Sequence, residues 1–257
     1  MAAALLYARG SYRVWQRNRD VYLSLWRSEF VASVVEPIII LLAMGYGLGS
    51  IIGEVEGRRY IEFIAPGVLS TYVMFGAVFE CSWGTFVRMQ IQRTFDAIIV
   101  TPISIHEVIT GELFWGVTRS FIAGCVMLMA ISIAGWVDSP LAALLPVAIV
   151  LEGAMCASFS LAYTALVSKV SSFNYFYNLL ITPMVFFSGV FFPLSGLPEG
   201  ARYIAWALPL THMAELNRAL VTGETGWTVL WSTLYIVALT ATLFPLSLYL
   251  MKRRLVK

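Results

Sequence analysis

Five ionisable side chains, Glu36, Glu80, Glu112, Arg119 and Glu152, fall inside long apolar runs of this 257-residue chain. A charge at the centre of a bilayer costs at least ~2.5–3.5 kcal/mol by insertion scales, so each must find a partner or water. Glu112 and Arg119 are seven residues apart and share a helix face. Two turns are too far for a direct bond, but a neighbouring run could bridge them, and Glu80, near the end of its own run, can approach either. Such a set is a structural ion-pair network or the polar lining of a transport path. A proton relay is the weaker reading, because no histidine accompanies the carboxylates; His106 and His212 fall at opposite ends of the apolar runs. The sequence contains no HExxH or GxSxG motif, and no carboxylate–histidine pair shares a face, so no catalytic residue and no metal site is assigned. Cys81, Cys125 and Cys156 match no metal or disulfide spacing and read as small apolar packing residues.

A second constellation lies outside the apolar runs. The stretch from Arg88 to Pro102, RMQIQRTFDAIIVTP, sets Arg88, Arg93 and Asp96 beside Phe95, Ile98, Ile99 and Val100. Thr101-Pro102 stops a helix there, and Ser104 can cap the next one. Ordinary connecting loops lack such an apolar patch, and an exposed patch invites a partner. Driving a two-state membrane domain almost fully across takes ~5.5 kcal/mol of differential interaction, whereas an exposed ion pair supplies only ~0–1. If force passes here, Phe95 and its apolar neighbours dock in a pocket of the partner, with Arg93 and Asp96 setting orientation.

The elements that position these groups follow from composition. The chain is 59% hydrophobic and 12% charged, against roughly 25% charged in soluble domains. Apolar runs of ~20 residues are bilayer length. Six are expected, at 30–52, 61–84, 106–136, 141–169, 175–194 and 228–251. They lack the two-residue alternation of a barrel strand, so the fold class is an all-α polytopic membrane protein. No linker, low-complexity segment or internal repeat divides residues 1–257, which read as a single transmembrane domain.

Lys and Arg fix the orientation. One side holds Arg9, Arg13, Arg17, Arg19, Arg27, Arg88, Arg93, Lys169, Lys252, Arg253, Arg254 and Lys257; the other holds Arg58, Arg59, Arg202 and Arg218. The rich side is expected in the cytoplasm, with both termini and the 86–102 element. Trp26 and Trp83 then mark the inner boundary, and Trp136, Trp227 and Trp231 the outer one. The N-terminus lacks the order of charge, apolar core and cleavage site of a signal peptide.

Two further segments frame the spans. Residues 7–27 read as an interfacial helix: Arg9, Arg13 and Arg17 share one face, and Tyr12, Trp15, Tyr22 and Trp26 another. This helix is a topology anchor or also a partner contact. Pro183, Gly189, Pro193, Pro198 and Pro209 crowd the region after 175, implying a kinked fifth span followed by short helical segments on the outward side, dipping back into the bilayer. Phe187 and Phe191, with Phe186 and Phe192, form an apolar gate on the path or a lipid-facing wall.

The order of surface helix, six spans, the insert RTFDAIIVTPIS and the tail FFSGVFFPLSGLPEGARYIAWALPLTHMAELNRALVTG resembles the permease subunit of type-2 ATP-binding-cassette exporters, and among them the nodulation-type lipo-oligosaccharide export permeases. The resemblance covers nearly the whole chain. It implies a homodimer in the bacterial inner membrane, bound to two copies of a separate ATPase that carries ATP and Mg. It implies that Arg88, Arg93, Thr94, Phe95, Asp96, Ile98 and Ile99 belong to a coupling helix seated in that ATPase. It also implies export of an amphipathic lipid-linked sugar, glycan, lipid or drug, without saying which. No GxxxxGK[ST] loop occurs, so the chain itself is not expected to hydrolyse ATP, bind a cofactor or engage nucleic acid. The alternative class is an ion-coupled secondary transporter working through Glu112, Arg119 and Glu152.

Overall fold

The computed structural model describes residues 2–255. The protein is an all-α polytopic membrane protein, apart from a hairpin of two-residue strands. Helix α1 covers Ala2–Ser24 and runs through a short break into α2, Trp26–Ile52. Strands β1 (Glu54–Val55) and β2 (Arg58–Arg59) pair antiparallel, with Glu54 opposite Arg59. Then follow α3 (Tyr60–Ile91), the short α4 (Thr94–Ile99), α5 (Ile105–Ile133), α6 (Pro140–Leu166), α7 (172–187), α8 (Glu199–Ala207), α9 (Pro209–Thr222) and α10 (Trp227–Leu255).

Helices α2, α3, α5, α6 and α10 are long and apolar enough to cross a membrane. The expected fifth span, 175–194, is not among them. Its helix, α7, covers 172–187, about 24 Å at 1.5 Å per residue, short of a ~30 Å hydrocarbon core. Ser188 closes the last turn onto the Met184 carbonyl, Gly189 takes φ 72°, and Pro193 follows, so the helix cannot continue. The chain turns back through α8 into α9, which is buried among α3, α6 and α10 although it carries His212, Glu215, Asn217 and Arg218.

Helix α3 is buried along most of its apolar stretch, whereas α2 and α10 expose most of theirs. The reason is close helix approach at small residues, the usual means of packing where lipid gives no hydrophobic drive. Gly116, Ser120 and Gly124 recur every four residues on α5. Ser120 donates to the Val73 carbonyl of α3 at 2.7 Å. A Cβ on Gly76 would lie 2.9 Å from the Arg119 carbonyl oxygen, so only glycine permits this crossing.

Helix α1 packs along α5, not free on a surface. Its contacts advance in step: Gly10 meets Glu107, Val14 meets Gly111, Asn18 meets Glu112, and Tyr22 meets Trp115. The expected division of faces therefore changes. Arg9 and Arg13 are exposed, but Arg17 turns inward, and Trp15 donates to Thr118 at 2.9 Å.

The bundle has two chemically distinct ends. At one, Arg254 of α10 donates to the Thr164 carbonyl and lies over Phe86. This end also holds α1, α4 and the start of α5, where Ser104 caps reciprocally with Glu107. At the other, Arg58 pairs with Asp138 and Glu224. The Asp138 carboxylate raises the Arg58 guanidinium above its ordinary value.

Candidate functional site

The site is a chain of ion pairs at the root of α4, and its local cause is a change of helix type in α3. Residues eight apart on a regular α-helix point about 80° away from each other. Two widened π turns, Glu80–Gly84 and Val87–Ile91, interrupt α3 and close that gap. Such turns mark functional positions in many helices. Arg88 Nη1 then reaches Glu80 Oε1 at 2.6 Å.

From Arg88 the pairs run across the bundle. Its Nη2 and Nε donate to Oε2 of Glu112 on α5 at 2.5 and 3.0 Å. Glu112 is fully buried and further accepts from Thr85 at 3.0 Å and from Asn18 of α1 at 3.0 Å, with Arg17 at 3.7 Å. In the other direction Glu80 Oε2 lies 3.6 Å from Arg119 Nε, and Arg119 Nη2 meets Glu29 of α2 at 2.6 Å. The Arg119 guanidinium also lies 4.4 Å over the Tyr22 ring. Glu29, Arg119, Glu80, Arg88, Glu112 and Arg17 thus tie α1, α2, α3 and α5 into one unit. A buried pair is strong only when the remaining lone pairs are satisfied, and both Glu112 oxygens are. Outside the spans, burial pulls the Arg17 guanidinium below its ordinary value, with the Glu112 carboxylate opposing.

The short helix α4 follows the end of α3. Arg93 takes a left-handed φ of 51° and separates the end of α3 from α4, so residues 86–102 are not one helix. Residues 86–91 finish the membrane-length helix, and Arg88 points into the bundle, not outward toward a partner. Phe95 is fully buried in the chain's own core, which corrects the expectation that its ring docks elsewhere. Its neighbours behave differently: Arg93 and Asp96 are exposed, Thr94, Ile98 and Ile99 are half-buried, and Val100 is 86% exposed. The apolar side chains offered to another protein are therefore Val100 and the outer parts of Ile98 and Ile99.

The remaining sequence candidates do not join this site. Glu152 of α6 is fully buried with no cation; Oε2 accepts from Asn217 of α9 at 3.1 Å, and Oε1 has no hydrogen-bond partner. The same Asn217 amide donates to Ser70 of α3 at 2.8 Å. Ser70 lies ten residues before Glu80, about 15 Å along the helix. Phe187 is half exposed, whereas Phe191 is buried and its carbonyl accepts from Tyr60 at the far end of α3. The single expected group of Glu80, Glu112, Arg119, Glu152, Phe187 and Phe191 is thus three separate places. Glu36 is exposed, not buried, and accepts from Tyr72 at 3.3 Å. Among the described residues no group of three or more His, Cys, Asp or Glu is placed to hold a metal ion. Reasoning from sequence missed Asn18, Glu29 and Thr85; Arg17-Asn18 on a helix beside a buried glutamate was the signal available.

Residues 12–222 match the family model described as ABC-2 type transporter. This chain belongs to the ABC-2 type transporter family. The ABC-2 chain is 33% identical over 246 residues to "Nodulation protein J" of Sinorhizobium fredii, covering 94% of this chain and 92% of that protein. It is 35% identical to "Nodulation protein J" of Rhizobium meliloti, covering 82% and 80%. The "Inner membrane transport permease YadH" of Escherichia coli is 25% identical, covering 78% of each. As an ABC-2 permease, the chain is the membrane subunit of an ABC exporter and works with an ABC ATPase subunit, without being that ATPase. The matched residues include the whole ion-pair chain, α4 and α9.

Proposed function

We propose that this permease passes the work of a separate ATPase into its bundle through α4, and exports an amphipathic molecule with a sugar-rich head, of the lipo-oligosaccharide kind. One observation carries this reading. Arg88, six residues before the first turn of α4, is paired to Glu80 and Glu112 and through them to α1, α2 and α5. A push on α4 crosses the short Gln92–Arg93 turn and from Arg88 reaches four helices. The relatives named "Nodulation protein J" support the substrate class.

The cytoplasmic side is the end that holds α1, α4 and the end of α10, on the positive-inside rule. A second copy of the chain covers the exposed faces of α2 and α7, where Ile39, Tyr46, Tyr175 and Leu179 are more than half exposed. Two ATPase copies then serve the dimer, with ATP and Mg bound there. In this assembly α7 and the returning α9 complete the sixth, discontinuous crossing, in one transmembrane domain.

The test is reconstitution with the ATPase. Arg88→Ala should leave ATP hydrolysis running while export falls by at least tenfold. Equal loss of both, or full export, would reject the coupling role. A second reading, ion-coupled transport, has one observation in its favour, the cation-free carboxyl of Glu152. It requires that Glu152→Gln abolish transport and that collapsing the proton or sodium gradient stop it with ATP present.

A further inference from the structure

A groove of about 750 Å³ lies between α1, α5 and α10, apart from the ion-pair network. Its wall is mostly apolar, with Trp15, Phe114, Val117 and Leu248 among its residues. It runs from His106 to Thr118 along α5, about 18 Å at 1.5 Å per residue. Tyr12 stacks on Trp15 at 5.5 Å and forms one side.

At the Thr118 end Arg19 lies 5.4 Å over the Trp15 ring and is balanced by Asp20 at 2.7 Å. His106 is exposed at the end where α5 begins. Arg9 lies one turn from Tyr12 and Lys252 one turn from Leu248, on the same helix faces, and both are exposed. Glu107 also borders the groove, but its carboxylate is buried and accepts from the Ser104 amide as part of the cap. The result is a slot of acyl-chain length with Arg9 and Lys252 one turn beyond its lining residues Tyr12 and Leu248. A second copy of this chain would bring the same cations with it, so like charge disfavours that occupant.

We infer that this groove holds an anionic phospholipid of the cytoplasmic leaflet, its acyl chain along Phe114 and Val117 and its phosphate between Arg9 and Lys252. Cations beside an anionic leaflet attract it in this way. Which leaflet is involved rests on the orientation proposed above; retention of the lipid is read without ATP or transport and succeeds or fails on its own.

The experiment exchanges the purified protein from bilayers of phosphatidylglycerol and phosphatidylcholine into detergent and weighs it intact by native mass spectrometry. Phosphatidylglycerol should be retained in preference to phosphatidylcholine. Arg9→Ala with Lys252→Ala should weaken retention ~25-fold, about fivefold per cation. Thr110→Trp, which fills the groove and leaves the cations, should also remove the lipid. Equal retention of both lipids by the unmodified protein overturns the inference, as does retention unchanged in both variants. So does a disulfide between Tyr12→Cys residues of two copies in membranes, which would put a second chain in the groove. If the variants fail to fold, the comparison of the two lipids on the unmodified protein still decides.

Discussion

Arg88 and Glu112 stand on different helices, yet two guanidinium nitrogens of Arg88 converge on one oxygen of Glu112, at 2.5 and 3.0 Å. Glu112 has no exposure to solvent, so this carboxylate exists to receive donors from three sides. Removing it leaves Arg88 with Glu80 alone and takes from Arg17 its neighbouring carboxylate. Glu112→Ala should therefore cost about 3–5 kcal/mol, the range for breaking a buried pair from one side. Thermal unfolding in detergent checks this; a shift no larger than that of an exposed Glu199→Ala control would mean the pair is dispensable.

Arg88→Lys separates charge from geometry. Lysine keeps the charge but offers a single point donor in place of a planar fork. One ammonium cannot span Glu80 and Glu112 as Arg88 does. Stability should fall only modestly, while hydrolysis and export become uncoupled in proteoliposomes. Wild-type coupling in the lysine variant would show that charge alone suffices.

Phe95 and Val100 should behave in opposite ways. Phe95→Ala opens a cavity in the core and should destabilise the protein by about 3–5 kcal/mol. Val100→Asp touches no core and should leave the melting temperature in place while weakening association with the ATPase. Co-purification yield and melting curves, taken together, separate the two outcomes; a reversed pattern would place the contact on the wrong side of α4.

Gly76→Ala sets a Cβ against the Arg119 backbone, which cannot move like a side chain. Overpacking of this kind costs typically ~1–3 kcal/mol. The displaced backbone also carries the Arg119 guanidinium away from Glu29 and Glu80. A cysteine pair at Glu29 and Arg119 should cross-link less efficiently in the alanine background than in the glycine one.

Five membrane-length helices were legible because a bilayer-length apolar run has one physical meaning, and Ser104 because a cap precedes its helix by rule; the expected fifth span was not, because its helix ends at Phe187. The link from Glu80 to Arg119 could be foreseen from the cost of charge in lipid. Arg88 could not: beside Gln90 and Gln92 it looks like a solvated loop residue, and nothing in the sequence announces the π turns that swing it inward. Phe95 was misread because a six-residue helix has too few turns for periodicity to say which way a ring points. Helix α9 was hidden by its own polarity, since His212, Asn217 and Arg218 find their partners inside the bundle.

The ion-pair chain holds three guanidiniums and three carboxylates, Arg17, Arg88 and Arg119 with Glu29, Glu80 and Glu112. Moving one elementary charge through the transmembrane voltage is worth about 2.3 kcal/mol per 100 mV, but a unit that travels with its signs in balance does no such electrical work. If the proposed coupling runs through this unit, its displacement adds no gating charge of its own, and membrane voltage neither drives nor opposes that part of the movement.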